Sequence, residues 1–383
     1  MKILFVINGL GGGGAEKVFV DLIRNFDQKK YDITVLAVDD WGIYKYEMRK
    51  MVKYHYLMKH EEKEGIKRKW YGFLSVIGRK IIRSFPSHVL YKWFIKGTYD
   101  VEIAYIEGEA TKILAGSNNR KSVKYAWVHT DMIKNPWTEK IYKNVEIEKK
   151  DYQKFNRIMA VSESVKEAFE KKYGISADVM YNALDDREIV EKAKDQIDTI
   201  IKNESLCIVT VGGLREVKGF LRLLKVINRL QNEKISVQLV IIGEGSEREK
   251  LERYIQSNGL EEKVLLYGFT TNPYSLIIQG DLYVCSSFAE GFSTSVTEAL
   301  ILGVPVLTTE CAGMRELLGD SEYGMIVENS EEGLYNGIKY ISENPDVLKK
   351  MKQKSRERGK VFTIQKRIKE LEKVIWDDYQ KSI

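Results

Sequence analysis

The sequence predicts an α/β protein made of two doubly wound, parallel-sheet domains in tandem, and three observations carry that prediction. Short apolar runs alternate with helical stretches from the first residues onward. The rhythm lapses over the charged stretch Arg187 to Asn203 and restarts at "LCIVTVGGL". At 383 residues the chain also exceeds what one hydrophobic core normally spans. The expected boundaries are a first domain over 1–186, a linker over 187–203, a second domain over 204–362 and a C-terminal helix over 363–383 that crosses back.

In the first domain, "KILFVIN" reads as a strand and leads through a glycine run into a helix over about Ala15 to Asn25. "YDITVLAV", "VEIAYIEG", "KYAWVHTD" and "RIMAVSES" follow as strands, the last feeding a helix, and "ADVMYNALDD" adds a short strand and a turn. In the second domain the strands are "LCIVTVGGL", "VQLVIIGEG", "KVLLYGF", "LYVCSS", "VPVLTTE" and "GMIVE". Helices near Phe220 to Leu230 and Glu247 to Ser257, and "STSVTEALILG", lie between them. Unbroken apolar strands of this kind belong to a sheet covered on both faces. Ligands of such sheets sit beyond the carboxyl ends of the strands, so a cleft between two facing domains is the expected active site.

Composition narrows the class. With 44% hydrophobic and 30% charged residues the chain reads as globular. It contains no apolar run of about eighteen residues, and its first residues do not look like a secretory signal. Cys207, Cys285 and Cys311 lie far apart without metal-like spacing, which suits a reducing cytoplasm and a protein without a metal. The net charge of +6 is concentrated: fourteen Lys/Arg against four Glu fall between Lys45 and Lys96. There Trp70, Phe73, Trp93 and Phe94 interleave with Lys67, Arg68, Lys69, Arg79, Lys80, Arg83, Lys92 and Lys96. Two readings fit: a helix pair with a solvated basic face, or a surface for an anionic membrane. No nucleic-acid motif accompanies the patch, so nucleic acid is not an expected partner.

The opening "NGLGGGG" matches the letter of a dinucleotide fingerprint, with Asp39-Asp40 placed where a ribose-binding acid would follow. An NAD(P) enzyme is therefore the alternative reading. The richer signal is "SSFAEGFSTSVTEALILGVPVL", where Glu290 and Glu298 bracket a helix start whose amides suit phosphate oxygens. Read alone, this spacing fits a helix cap and a solvated Glu better than a ligand site. In "VTVGGLREVKGF", Arg215 and Lys218 follow a strand and a Gly-Gly turn, as cations that can neutralise a diphosphate.

"GGLREVKGF", "IIGEGSEREKL", "LYGFTTNPYSLI" and "AEGFSTSVTEALILGVPVL", with "GGGGAEKVFVDL", "WVHTD" and "AVSESVKEAF", resemble in order and spacing the motifs of glycosyltransferase family 4 (GT4), of the GT-B fold. The resemblance is weakest over 45–96. It implies a retaining, metal-independent transferase that takes a nucleotide sugar, with UDP the expected nucleotide, and no cofactor. The first domain would bind the acceptor, a glycan or lipid-linked glycan, and the second the donor. The resemblance gives Glu290 the donor sugar hydroxyls, Glu298 the ribose, and Arg215 and Lys218 the diphosphate. Phe292, Ser293 and Thr294 would meet sugar and phosphate through their backbone, the loop from Gly268 and Phe269 to Asn272 would receive the base, and Gly213 would bind the donor from its turn.

Gly243 and Gly245 are read as packing glycines, and Gly11, Gly12, Gly13 and Gly14 as a wall closing over the donor, where a Cβ would obstruct approach. His129 would contact the donor sugar, with Asp131 a lesser candidate. Ser293 and Asn182-Ala183 depart from the family's usual Gly or Pro residues. Further alternatives are a nucleotide-sugar epimerase of the same fold and an inactive glycan-binding relative. The expected location is cytoplasmic, peripheral on the inner face of the plasma membrane.

Overall fold

The computed structural model describes residues 1–60, 66–195 and 206–382. The chain divides into two compact units, Met1–Ala183 with Ile364–Ile383, and Leu184–Thr363. The segment 187–192, expected as linker, lies in the helix Asp186–Lys192 and belongs to the second unit. Its N-cap Asp185 accepts the Glu188 amide, and Ile189 on its apolar side is buried. Residues 196–203 of the expected linker lie outside the described residues.

The first unit carries a seven-stranded sheet in the order β3-β2-β1-β4-β5-β6-β7. Its strands are β1 (Lys2–Ile7), β2 (Asp32–Asp40), β3 (Lys53–Lys59), β4 (Val101–Ala104), β5 (Val123–Val128), β6 (Arg157–Ala160) and β7 (Asp178–Val179), all paired parallel. β1, β4 and β5 are buried almost throughout, as their unbroken apolar runs predict. The helices Ile66–Ser84 and Ser87–Phe94 match the helix-pair reading of the basic aromatic stretch, and β3 lies before them in the chain. It is an edge strand, mostly exposed, and its sequence "KYHYLMK" has no apolar run because only one side of it is covered. The helix Ile364–Ser382 returns to this unit. Asp378 there accepts Arg157 Nε at 2.5 Å, Arg157 Nη2 at 2.9 Å and the Tyr125 hydroxyl at 3.1 Å, and the guanidinium holds its carboxyl below the usual carboxylate range against the opposing effect of burial.

The second unit carries a six-stranded sheet in the order β10-β9-β8-β11-β12-β13. The strands are β8 (Leu206–Val211), β9 (Val237–Ile242), β10 (Val264–Gly268), β11 (Leu282–Cys285), β12 (Val306–Thr309) and β13 (Met325–Val327), again all parallel. Leu223, Ile227 and Leu230 of the helix Phe220–Asn232 pack on Ile208, Leu239 and Ile241, with Leu334 and Ile338 of the helix Glu331–Glu343 beside them. Each sheet reverses its strand order once, at β1/β4 and at β8/β11. Those switch points are where the loops of a doubly wound sheet part and a ligand can enter.

Candidate active site

At the switch point of the second unit, the loops after β8 and β11 are bound together. After β8 the chain makes the turn Gly212-Gly213, then a short 3-10 turn over Glu216–Lys218, and reverses at Gly219 with φ of +67°. A Cβ on Gly219 would lie 2.1 Å from the Ser286 carbonyl oxygen, so this contact requires glycine. Arg222, in the first turn of the following helix, is buried. It donates from Nε to the Ser286 oxygen at 2.8 Å and from Nη2 to the Ser286 and Ser287 oxygens at 2.5 and 2.7 Å. The Ser286 hydroxyl donates to the Lys218 carbonyl at 2.9 Å, and the Phe288 amide to the Val217 carbonyl at 2.8 Å.

This stitching sets the two most chemical side chains in contact. Lys218 Nζ lies 2.7 Å from Glu290 Oε1, and the Ser287 hydroxyl donates to the same oxygen at 2.5 Å. Burial alone would lower the lysine pKa, but the Glu290 carboxylate beside it outweighs that and raises it, with Arg215 opposing. Lys218 is therefore a fixed cation across the neutral range. Arg215 is exposed, its Nε 3.5 Å from where a Gly213 Cβ would stand. The helix Thr294–Ile301 follows, with Ser293 as its N-cap accepting the Val296 amide at 3.4 Å, and Phe292 and Ser293 buried. Glu298, also buried, accepts the Tyr274 hydroxyl at 3.1 Å.

Gly268 has φ of +91° and leads to Phe269, which is half exposed. The Asn272 amide ties this loop down, donating to the Lys192 oxygen at 2.9 Å and to Asp195 Oδ2 at 2.8 Å. Gly243 and Gly245 pack as expected: a Cβ on either would strike the backbone of Gly212 or Leu214 at 2.0 or 2.5 Å.

The first unit repeats the design at its own switch point, around a residue that sequence reasoning missed. Glu107, after β4, is 1% exposed. Its Oε2 accepts the His129 amide at 3.0 Å, while its Oε1 accepts the Trp137 indole at 3.2 Å and the Thr130 hydroxyl. Asn8, after β1, donates to the Glu107 carbonyl at 3.1 Å and accepts the Ala110 amide at 3.0 Å, joining the loops. His129 Nε2 faces the Tyr105 carbonyl oxygen at 2.8 Å. A carbonyl only accepts, so the ring proton sits on Nε2 and Nδ1 carries the lone pair. Burial lowers the imidazole pKa, with Glu107 and the Tyr105 contact pulling it back up, so the ring is neutral at neutral pH.

Asp131 is committed to a turn, its Oδ1 accepting the Ile133 and Lys134 amides, each at 3.0 Å. The glycine run also has a local packing use. A Cβ on Gly11 would meet the Trp41 ring at 2.8 Å, and one on Gly9 would meet it at 2.4 Å. Gly12 and Gly13 are exposed, and Gly14 opens the helix Gly14–Asn25.

Two family descriptions match the chain. Residues 191–358 match the glycosyl transferases group 1 model, and residues 12–188 match glycosyltransferase family 4. The chain belongs to the GT4 family of GT-B glycosyltransferases. A Campylobacter jejuni N-acetylgalactosamine-N,N'-diacetylbacillosaminyl-diphospho-undecaprenol 4-alpha-N-acetylgalactosaminyltransferase is 28% identical over 94% of this chain and 95% of its own. Anabaena HepE, solved in complex with UDP, superposes with a TM-score of 0.76 at 18% identity, over 98% of this glycosyltransferase and 100% of that chain. Staphylococcus aureus TarM superposes at 0.70 with 15% identity, over 98% of each chain. Both share the fold.

For the glycosyltransferase the dinucleotide alternative has no support in its carboxylates. Asp39 holds Arg79 at 2.6 Å and Asp40 holds Arg49 at 2.7 Å. Besides Glu107, sequence reasoning passed over Tyr274 and Arg222. Each stands in a motif where it looks like ordinary helix or loop filler, and only its buried partners reveal its part.

Proposed function

We propose that this glycosyltransferase moves a hexosyl or N-acetylhexosaminyl group from a UDP-linked sugar to a glycan or lipid-linked glycan, with retention of anomeric configuration and without a metal ion. The observation that carries the reading is the Lys218–Glu290 pair at the β8/β11 switch point, a half-buried cation in contact with its carboxylate partner. In this reading Lys218 and Arg215 hold the diphosphate and stabilise the charge that grows on it as the glycosidic bond breaks. Glu290 orients the sugar hydroxyls, and Glu298, held by Tyr274, takes the ribose. The acceptor hydroxyl attacks on the face the diphosphate leaves, and a phosphate oxygen takes its proton. His129 offers the lone pair of Nδ1 to a sugar hydroxyl.

The C. jejuni relative acts on a diphospho-undecaprenol glycan by its name, and HepE was solved with UDP and with UDP-glucose; both support this choice of substrates. Screening UDP- and GDP-sugars for acceptor-free hydrolysis tests it. One UDP-sugar is expected to release UDP at a rate that EDTA leaves unchanged. Turnover confined to GDP-sugars would overturn the nucleotide, and loss with EDTA restored by magnesium would overturn metal independence.

The proposal extends to the cytoplasmic face of an anionic membrane. On the helix Ile66–Ser84, Trp70, Phe73, Leu74 and Ile77 recur at helical spacing and are 40% to 58% exposed, an apolar stripe turned to solvent. Lys67, Arg68, Lys69 and Lys80 are exposed on the same helix. Arg79 pins it to the sheet through Asp39. Residues 61–65 of the basic segment lie outside the described residues, and among the described residues no helix is long and apolar enough to cross a membrane. Co-sedimentation with phosphatidylglycerol vesicles is expected and should weaken as salt rises. A Trp70→Ser/Phe73→Ser variant should bind about tenfold more weakly while hydrolysing UDP-sugar as before. Absence of binding at low salt would remove this part of the proposal.

A further inference from the structure

The glycine run after β1 leaves one structural fact that donor chemistry does not use. The Trp41 indole lies lengthwise across Gly9 and Gly11. A Cβ on Gly9 would stand 2.4 Å from Nε1 of the five-membered ring, and one on Gly11 would stand 2.8 Å from Cη2 of the six-membered ring. Each ring therefore rests over one glycine, and side chains at those positions would lift it away. The backbone fixes the seat: the Leu10 amide donates to the Trp41 carbonyl at 3.1 Å, and the Tyr44 amide donates to the Leu10 carbonyl at 3.2 Å. Gly42, with φ of +106°, passes so close to the Leu10 carbonyl that a Cβ would lie 1.9 Å from it.

Seated on the glycine backbone, Trp41 remains 44% exposed, just beyond the carboxyl end of β2. A large aromatic held this firmly and left this open is not serving the core. The same short loop fixes it relative to the Glu107 loop of its unit, because Asn8 binds the Glu107 backbone while Gly9 to Gly11 carry the indole.

We infer that Trp41 is a stacking platform for a pyranose ring of the acceptor glycan. The C–H bonds on one face of a pyranose carry slight positive charge, and they pack on the negative face of an indole while burying apolar area on both partners. A platform that is already rigid loses little freedom on binding. The neighbouring carboxylates, Asp39 and Asp40, are neutralised by Arg79 and Arg49, so the surroundings do not call for a cationic ligand. This assignment rests on the proposed function, in which the first unit receives the acceptor.

Saturation-transfer NMR with methyl glycosides of glucose, galactose, N-acetylglucosamine and N-acetylgalactosamine tests it, alongside calorimetry with UDP. At least one glycoside is expected to receive saturation on the ring protons of a single face. Trp41→Leu keeps an apolar cover over the glycines without a π face; it should weaken that glycoside about tenfold and leave UDP binding and the melting temperature unchanged. Trp41→Tyr should restore most of the binding. Equal glycoside binding by the wild type and Trp41→Leu overturns the inference, as does a wild type that binds UDP but no glycoside. A wild type that does not bind UDP overturns the functional reading, and this inference with it.

Discussion

A Lys218→Met variant is expected to bind UDP at least about tenfold more weakly and to turn over about a hundredfold more slowly or worse. Glu290→Gln is expected to lose turnover by about a hundred- to a thousandfold while binding UDP as well as the wild type or better. The two residues touch at 2.7 Å, so an account in which they merely support one another predicts similar damage from either change. The proposed roles predict opposite effects on UDP. Removing the lysine takes a cation from the diphosphate and leaves the Glu290 charge facing it, whereas removing the carboxylate charge frees the lysine for the phosphate. Titrating UDP by calorimetry and following UDP release from the productive donor separates the cases. Unchanged turnover in Glu290→Gln would sink the site assignment, and UDP binding that falls equally in both variants would sink the division of roles. The double variant should be far from additive, because each change alters the charge its partner sees.

How much of this was legible in the sequence follows from what each residue is packed against. Strands buried on both faces announce themselves: β1, β8 and β9 are mostly apolar runs, so the fold class and the restart of the rhythm could be read directly. β3 could not, because an edge strand with exposed Lys, Tyr and His has no apolar run and sits in a basic stretch that suggests a helix. Lys218 and Glu290 were legible because their motifs are distinctive, although their direct contact was not. They are far apart in the chain and meet only because β8 and β11 are neighbours at the switch point. Arg222, which holds the β11 loop by its carbonyls, looks like any surface arginine near a helix start until its burial is known. The only sign of Glu107 was a single acid ending the run "EIAYIEG".

Glu107 is the residue whose replacement should cost the first unit most. Glu107→Ala is expected to destabilise it by about 3 kcal/mol, since the His129 amide and the Trp137 indole lose an ionised acceptor in a buried place. Glu107→Gln should cost only about 1 kcal/mol, for a geometric reason. All three groups around the carboxylate donate to it, so an amide can satisfy them only if its oxygen takes the Oε2 position beside His129. Its NH2 then meets the Thr130 hydroxyl, which can rotate to accept, while the Trp137 indole keeps its 3.2 Å contact with Thr130 Oγ1.

The two variants also predict a pH effect of known sign. The His129 pKa is already below its ordinary 6.5 because burial disfavours the charged ring, and the Glu107 charge partly offsets this. A group whose folded pKa is depressed contributes stability that is fully present above the unfolded value and is lost as pH falls from there through the folded value. Without the Glu107 charge the folded pKa drops further, so the window starts at the same 6.5 and reaches to lower pH. Glu107→Gln should thus match the wild type most closely above neutrality and fall behind it progressively in acid. Urea melts of both proteins across that range check the prediction. A stability difference that does not change with pH would show that Glu107 acts on His129 only as a hydrogen-bond acceptor, not through its charge.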